Sequence, residues 1–217
     1  MSRACISICI ANYNGENLLA ECIDSVLAQQ VQAELEILVH DDASGDQSLA
    51  LLQQRYPDVR VIASATNVGF CISNNRMADI ARGDYLLLLN NDAALLPGAL
   101  QSLLDAARSS EVPAILSLPQ YDWQSGTLVD RGCRRDMFHM PVPNLLPSRQ
   151  EVAYVIGACL FLPRDLWQSL GGFPEWFGSI AEDAYLCRAA QLQGAQVRVL
   201  DSSGYRHRQG ASIGGNR

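Results

Sequence analysis

Gly83-Asp84-Tyr85-Leu86-Leu87-Leu88-Leu89-Asn90-Asn91-Asp92 begins on a turn residue, runs through five apolar or aromatic positions without alternation, and stops on two amides and a carboxylate. An unbroken apolar run of that length is how a strand buried on both faces reads, and its polar end marks where the strand delivers side chains to a cleft. In an open α/β sheet, ligands sit beyond the carboxyl ends of the strands, so Asp92 stands where function is expected. Taken alone, Asn90-Asn91-Asp92 reads equally well as a solvated turn.

Toward the N-terminus the pattern repeats. Residues 5–11 carry Ile6, Ile8 and Ile10 two apart and end at Asn12-Tyr13-Asn14-Gly15; Leu18, Leu19, Cys22, Ile23, Val26 and Leu27 then recur at helical spacing. A second strand over 35–39 runs into His40-Asp41-Asp42-Ala43-Ser44-Gly45-Asp46, with Asp46 as N-cap of a helix over 47–55. Paired carboxylates at a strand tip can accept hydrogen bonds from a base N–H and from ribose hydroxyls; an Asx turn plus a helix cap explains them as well. A short strand over 59–63 leads through Thr66-Asn67-Val68-Gly69-Phe70 into a helix over 70–81, whose first N–H groups would suit a diphosphate. Pro97-Gly98 opens a helix with Leu100, Leu103, Leu104 and Ala107 on one stripe, and 114–118 reads as a fifth strand. This alternation argues for a parallel, doubly wound sheet with right-handed crossovers. The first strand is followed by neither G-x-G-x-x-G nor G-x-x-x-x-G-K-[ST], so a nucleotide bound here is held by something other than a Gly-rich cradle.

After Pro119 the rhythm changes. Residues 121–131 are polar and turn-rich, and 137–147 hold Pro141, Pro143 and Pro147 with little periodicity, which reads as a long loop of the kind that forms lids; Arg131, Arg134 and Arg135 lie in this region. A buried strand over 154–162 contains the small residues Gly157 and Ala158, a sign of close approach to the backbone. A short helix from Pro163-Arg164-Asp165 ends at Gly171-Gly172, and an aromatic turn spans 173–178. Glu182-Asp183 opens a further helix, where the macrodipole alone would favour two acids. A last strand over 197–200 precedes a tail with Tyr205-Arg206-His207-Arg208-Gln209-Gly210-Ala211-Ser212.

The 217 residues, 48% hydrophobic and 18% charged, fit one medium domain with an ample core. Sixteen basic against 23 acidic residues leave a net charge of −7, which disfavours nucleic acid or an anionic membrane as a partner on simple charge. Seven cysteines, odd in number and without a C-x-x-C pair, fit reduced buried thiols. With no n-region and cleavage site, and no apolar run near the ~18 residues of a membrane span, the expectation is a cytoplasmic protein without a transmembrane segment. Peripheral placement at the inner membrane stays open.

Taken together, Ala11-Asn12-Tyr13-Asn14, Asp41-Asp42-Ala43-Ser44, Asn67-Val68-Gly69-Phe70, Asn90-Asn91-Asp92, Glu182-Asp183 and His207 resemble the signature series of the family 2 glycosyltransferases with the GT-A fold. The rhamnosyltransferase-like members look closest, since they too replace the first acid of the D-x-D motif with an amide. The resemblance covers nearly the whole chain in the right order. It implies an α/β GT-A fold: a Rossmann-like, mostly parallel twisted sheet flanked by helices in a single domain. Within it, 1–118 would be the nucleotide-sugar-binding half and 119–217 the acceptor-binding and catalytic half.

By the same resemblance, Ala11, Asn12, Tyr13 and Asp42 would contact the base and ribose of the donor, with Asn67, Gly69 and Asn91 close to it. Asp92 and His207 would bind Mn²⁺ or Mg²⁺, a His ligand tilting the choice toward Mn²⁺. Asp183 would be the catalytic base, with Glu182 beside it. The implied reaction is inverting transfer from a UDP- or dTDP-linked sugar to a hydroxyl of a saccharide or glycolipid acceptor in surface-polysaccharide synthesis. Asn91 stands where many relatives carry an acid, which leaves one carboxylate for the metal. Relatives usually continue beyond the point where Gly214-Gly215-Asn216-Arg217 follow, so the chain reads either as a minimal catalytic domain or as one module of something larger, whose acceptor site an additional domain or an oligomer partner would complete. Two other readings are a sugar nucleotidyltransferase, whose basic Gly-rich loop Asn12-Tyr13-Asn14-Gly15-Glu16 does not supply, and a non-catalytic nucleotide-sugar-binding module.

Overall fold

The computed structural model describes residues 4–138, 140–177 and 180–208; His139, the end of the aromatic turn at Gly178 and the tail from Gln209 lie outside the described residues. In chain order the elements are β1 (Ala4–Asn12), α1 (Leu19–Leu27), β2 (Ala33–Asp41), α2 (Ser48–Arg55), β3 (Arg60–Ala63), α3 (Phe70–Ile80), β4 (Tyr85–Leu89), β5 (Ala93–Leu95), α4 (Ala99–Ser109) and β6 (Ala114–Ser117). They continue with β7 (Gln120–Asp122), β8 (Leu128–Asp130), β9 (Cys133–Arg135), β10 (Pro141–Pro143), β11 (Cys159–Pro163), α5 (Arg164–Leu170), α6 (Glu182–Leu192), β12 (Gln196–Val199) and β13 (Tyr205–His207).

The main sheet has seven strands in the order β12-β6-β11-β4-β1-β2-β3. At its centre β4 is apolar at every position because both of its faces are covered. Leu87 and Leu89 pack with Ile6, Ile8 and Ile10 against α1 and α4, while Leu86 and Leu88 pack with Cys9 and Leu38 against α3, α5 and α6. All four leucines are buried, and each contributes about 1.5–3 kcal/mol relative to exposure. A mixed α/β domain results, its strands covered by helices on both sides.

Three expectations need correction, and one feature is new. The strand begun at Tyr85 ends at Leu89, and Asn90-Asn91-Asp92 form a turn closed by the Ala93 amide donating to the Asn90 carbonyl at 3.1 Å. The segment 121–147 is not a structureless loop: β7 and β8 form one hairpin and β9 and β10 another. Three-residue strands of mixed polarity carry too few positions for an alternation to show. The strand placed over 154–162 is β11, which starts only at Cys159 and runs antiparallel to β4 and β6; the other pairings in the main sheet are parallel. Last, β13 pairs antiparallel with β5 and parallel with β7, in a smaller four-stranded sheet that the sequence does not announce.

The seven cysteines form no disulfide, and all but Cys5 are buried. Burial pushes the thiols of Cys159 and Cys187 up to about 12, so they are inert side chains of the core.

At the end of the sheet opposite the polar strand tips, Glu36 of β2 is buried yet charged. Its carboxylate accepts hydrogen bonds from Ser7 Oγ at 2.6 Å, the Arg82 amide at 2.9 Å, Arg82 Nε at 2.8 Å and the Arg60 guanidinium. The Ser7 hydroxyl in turn accepts from the Gly83 amide at 2.9 Å, so the turn that launches β4 is tied to β1 and β2. Burial acts to raise the Glu36 carboxyl, but the Arg82 amide, Ser7, Arg60 and Arg82 together bring it down to about 2. A depressed carboxyl stabilises the fold above its unfolded value, near 4.5 here, and that stability is lost as pH falls toward about 2. Glu36→Gln should therefore cost roughly 3 kcal/mol at neutral pH, with the gap to the wild type closing between about pH 4.5 and 2. Urea unfolding across that range checks it, and a constant gap would refute the linkage.

Candidate active site

The polar tips of β1, β2 and β4 meet at one end of the sheet, and Asn12 joins them. Its Nδ2 donates to Asp41 Oδ2 at 3.0 Å and to Ser44 Oγ at 3.3 Å, while its Oδ1 accepts from Asn91 Nδ2 at 2.8 Å. The loops after β1 and β2 are laced together around this point: the Asn14 amide donates to Ser44 Oγ, the Gly15 amide to Ser48 Oγ, the Glu16 amide to Asp46 Oδ2, and the Gln47 amide back to Glu16 Oε2. Asp46 also accepts from the Ser48 amide at 3.0 Å, so it caps α2 from one position before the residue that flanks the helix.

The adjacent acids of β2 have divided their work. Asp41 closes its own turn by accepting from the Ser44 amide at 3.0 Å. Asp42 faces the start of α3, where Oδ1 accepts from the Val68 amide at 2.7 Å and Oδ2 from the Gly69 amide at 2.8 Å. Gly69 has φ +89°, a backbone that L side chains rarely adopt, which points both amides at the carboxylate.

Beyond the end of β4, Asp92 Oδ1 lies 3.0 Å from His207 Nε2, and both residues are buried. Strand alternation in β13 turns His207 inward and leaves Arg206 exposed. The next arginine is drawn away: Arg208 pairs with Glu21 and stacks its guanidinium 4.2 Å from the Trp123 ring centre. Asn90 Nδ2 stands 3.5 Å from His207 Nε2, and Asn90 Oδ1 and His207 Nδ1 are buried without a hydrogen-bond partner. No group of three or more His, Cys, Asp or Glu that could hold a metal occurs among the described residues. The Asp92 carboxylate, the His207 imidazole and the unpartnered Asn90 amide oxygen are the groups here that could serve as ligands to a divalent cation.

The opposite wall is the first turn of α6. Ala181, in the left-handed conformation with φ +69°, reverses the chain so that Glu182 and Asp183 both enter the cleft. Asp183 Oδ2 accepts from the Gly157 amide at 3.1 Å and Oδ1 from the Ala184 amide at 2.6 Å. Burial still raises the Asp183 carboxyl, opposed by these amides. Glu182 keeps Oε2 without a partner, and burial, with the Asp183 charge adding to it, pushes its carboxyl up to about 7.

These groups line one cavity of about 550 Å³. Ala11, Asn12, Tyr13, Asp42, Asn67, Gly69, Asn91, Asp92, Glu182, Asp183 and His207 all border it. The glycosyl transferase family 2 profile matches residues 7–167.

The chain belongs to glycosyl transferase family 2.

Among family relatives, a poly(ribitol-phosphate) beta-glucosyltransferase of Bacillus spizizenii is 29% identical over 200 residues, 89% of this chain and 30% of the relative. An N-acetylglucosaminyl-diphospho-decaprenol L-rhamnosyltransferase of Mycobacterium tuberculosis is 25% identical over 190 residues, 74% of this chain and 62% of the relative. The chain thus spans less than two-thirds of either. The structure of S. aureus TarS 1-349 in complex with UDP-GlcNAc superposes with a TM-score of 0.73 at 21% identity, covering 98% of this chain and 61% of that one. GalNAc-T7 with UDP, GalNAc and Mn²⁺ gives 0.79 at 15% identity, covering 95% and 44%. The fold is that of the GT-A glycosyltransferases.

Several members of this family 2 site escaped sequence reading. Gly157 precedes β11 instead of lying in it, and the group that its small size lets approach the backbone is Asp183, whose carboxylate accepts from its amide. Phe70, the last residue of the Asn67-Val68-Gly69-Phe70 stretch, borders the cavity too; Ser73, Ile156, Ile180 and Ala181 also border it, and nothing in their types or spacing marks them. Gly15 could have been flagged by its place in the tip. A Cβ on it would lie 2.1 Å from Asn12 Oδ1 and 2.4 Å from Asn91 Nδ2, so only glycine leaves the amide pair intact. Gly15→Ala should destabilise the domain by about 1–3 kcal/mol, lowering Tm by several degrees, with loss of nucleotide binding in the same variant. An unchanged Tm in differential scanning calorimetry would show that the pair can move aside.

Proposed function

We propose that this family 2 chain is an inverting glycosyltransferase that moves a sugar from a UDP- or dTDP-linked donor to a hydroxyl of a saccharide or glycolipid acceptor, in polysaccharide or glycolipid synthesis. The observation that carries the reading is the convergence of Asp42, Asp92 and Asp183, over 140 residues apart at the extremes, on one cavity. The named relatives act on ribitol-phosphate polymer and on a diphospho-decaprenol sugar, and TarS was crystallised with UDP-GlcNAc, which is the support for this donor and acceptor class. The seven reduced thiols fit the cytoplasm as its compartment. No helix among the described residues is long and apolar enough to cross a membrane.

In this reading 1–118 supplies most of the donor site, and 119–217 supplies the acceptor side and the base. Ala11, Asn12, Tyr13 and Asp42 receive the nucleoside, and Asn67, Gly69 and Asn91 line the path toward the diphosphate. Asp92 and His207 would hold Mn²⁺ or Mg²⁺, which when bound supplies positive charge to the departing diphosphate. Asp183 takes the proton of the acceptor hydroxyl as it attacks the anomeric carbon from the face opposite the leaving group, which inverts the configuration. The Gly157 and Ala184 amides fix the carboxylate and leave each oxygen a lone pair for that proton. Glu182, with its carboxyl at about 7, carries a proton in much of the neutral population and donates it in a hydrogen bond to a sugar hydroxyl.

Asp183→Asn should cut transfer by 10²–10⁴-fold and leave UDP affinity within a few-fold. In the wild type, kcat/KM should rise with pH through a value above the usual aspartate range, because burial raises the Asp183 carboxyl and only its ionised form accepts the proton. Near wild-type turnover in the variant would remove Asp183 from the mechanism. Separately, titration calorimetry of UDP with and without Mn²⁺ should show tighter binding with the metal, and Asp92→Asn should abolish the difference. Identical UDP affinity in both conditions would take Asp92 and His207 out of metal binding.

A further inference from the structure

The β9–β10 hairpin carries apolar side chains that nothing in the fold covers. Met137 is 85% exposed, Phe138 76% and Met140 59%, and Leu145 and Leu146, which follow the hairpin directly, are over half exposed. The turn itself is organised: Asp136 Oδ1 accepts from the Phe138 and Met140 amides, both at 2.8 Å, and the Asp136 amide donates to the Met140 carbonyl at 3.0 Å. Backbone bonds to Asp136 hold Phe138 and Met140 while the methionine and phenylalanine side chains stay exposed, an unusual use of apolar surface in a water-exposed position.

The charge around the hairpin is opposite to that of the chain. Residues 131–149 hold four arginines against one aspartate, a net +3 within a chain of net −7. Arg131 is consumed internally by its ion pair with Asp201, but Arg134, Arg135 and Arg149 form no ion pair among the described residues. These three line a depression of about 430 Å³ at the foot of the hairpin, where Glu151 offsets one of them. An apolar tip flanked by unpaired arginines matches the interface of an anionic bilayer, with side chains entering the acyl boundary and guanidinium groups at the phosphates.

We propose that the segment from Arg134 to Arg149 is a membrane-docking element that inserts Met137, Phe138 and Met140 into the surface of an anionic lipid bilayer. The hairpin is rooted at Cys133, whose amide donates to the Tyr154 carbonyl at 2.8 Å. Two and three residues on from Tyr154, Ile156 and Gly157 border the cavity. Docking would therefore tether to lipid a hairpin whose root lies a few residues from the cavity wall; only the consequence that a lipid-linked acceptor would be met there rests on the transferase reading.

Co-sedimentation with sucrose-loaded vesicles of phosphatidylethanolamine and phosphatidylglycerol, against vesicles of phosphatidylcholine alone, tests the docking without any turnover. The full chain should pellet with the anionic vesicles, and raised salt should weaken the binding. The combined Met137→Ser, Phe138→Ser and Met140→Ser variant should bind at least tenfold more weakly, and each of Arg134→Gln, Arg135→Gln and Arg149→Gln roughly fivefold more weakly. Thermal unfolding and light scattering on the same samples separate docking from misfolding and self-association. The proposal is overturned if folded wild-type protein ignores anionic vesicles, if the serine variant binds them equally well, or if the hairpin instead forms a dimer that the serine variant dissolves.

Discussion

The carboxamide of Asn12 is the constraint on which the rest of the site depends. Buried at the end of β1, it satisfies Asp41 with one end and Asn91 with the other, so the tips of three neighbouring strands are held at fixed separations. An amide can do this because it offers donor and acceptor together, whereas a carboxylate there would face Asp41 with like charge. With the tips fixed, the turn after β4 has one course, and Asp92 arrives opposite His207 on β13. Asn91, which by the family resemblance would lie close to the donor where many relatives carry an acid, also holds the frame of the site through its bond to Asn12.

Four acids share the cavity, and the fold treats each differently. Asp42 is met by two backbone amides at the start of α3, Asp183 by two others, and Asp92 by an imidazole, while Glu182 is left to take up a proton. Concentrating four charges in a partly dry space would be costly, and dispersing the compensation over amides, imidazole and proton lowers that cost. The same division separates roles: a carboxylate with fixed geometry is suited to accepting a proton at one position, and a protonated one to donating a hydrogen bond nearby.

The first half of the fold was legible because its signals are local and strong. An apolar run without alternation at Tyr85–Leu89, twofold spacing in Ile6, Ile8 and Ile10, and polar tips at each strand end all follow from burial on two faces. Every site residue named from the sequence borders the cavity, since such residues cluster at strand ends and helix starts. The second half was harder because its order comes from distant partners. β13 acquires its partners from β5 and β7, each over 80 residues away in the chain, and β7 to β10 are too short for alternation to register. Glu36 was invisible for a related reason: an isolated glutamate in a strand reads as a solvent-facing residue until Ser7, Arg60 and Arg82 are seen around it.

The antiparallel placement of β11 has a consequence for how the chain reaches its final state. Because β11 lies between β4 and β6, the two outer strands on that side cannot be zipped onto the sheet until residues 159–163 have emerged and slotted in. A nascent chain leaving the ribosome would meanwhile carry the naked flank of β4, five consecutive apolar residues with open hydrogen-bonding groups. Exposed edges of that kind recruit other chains. The late arrival of one short strand thus sets how long that edge stays open, an interval fixed by strand order and independent of how stable the finished sheet becomes.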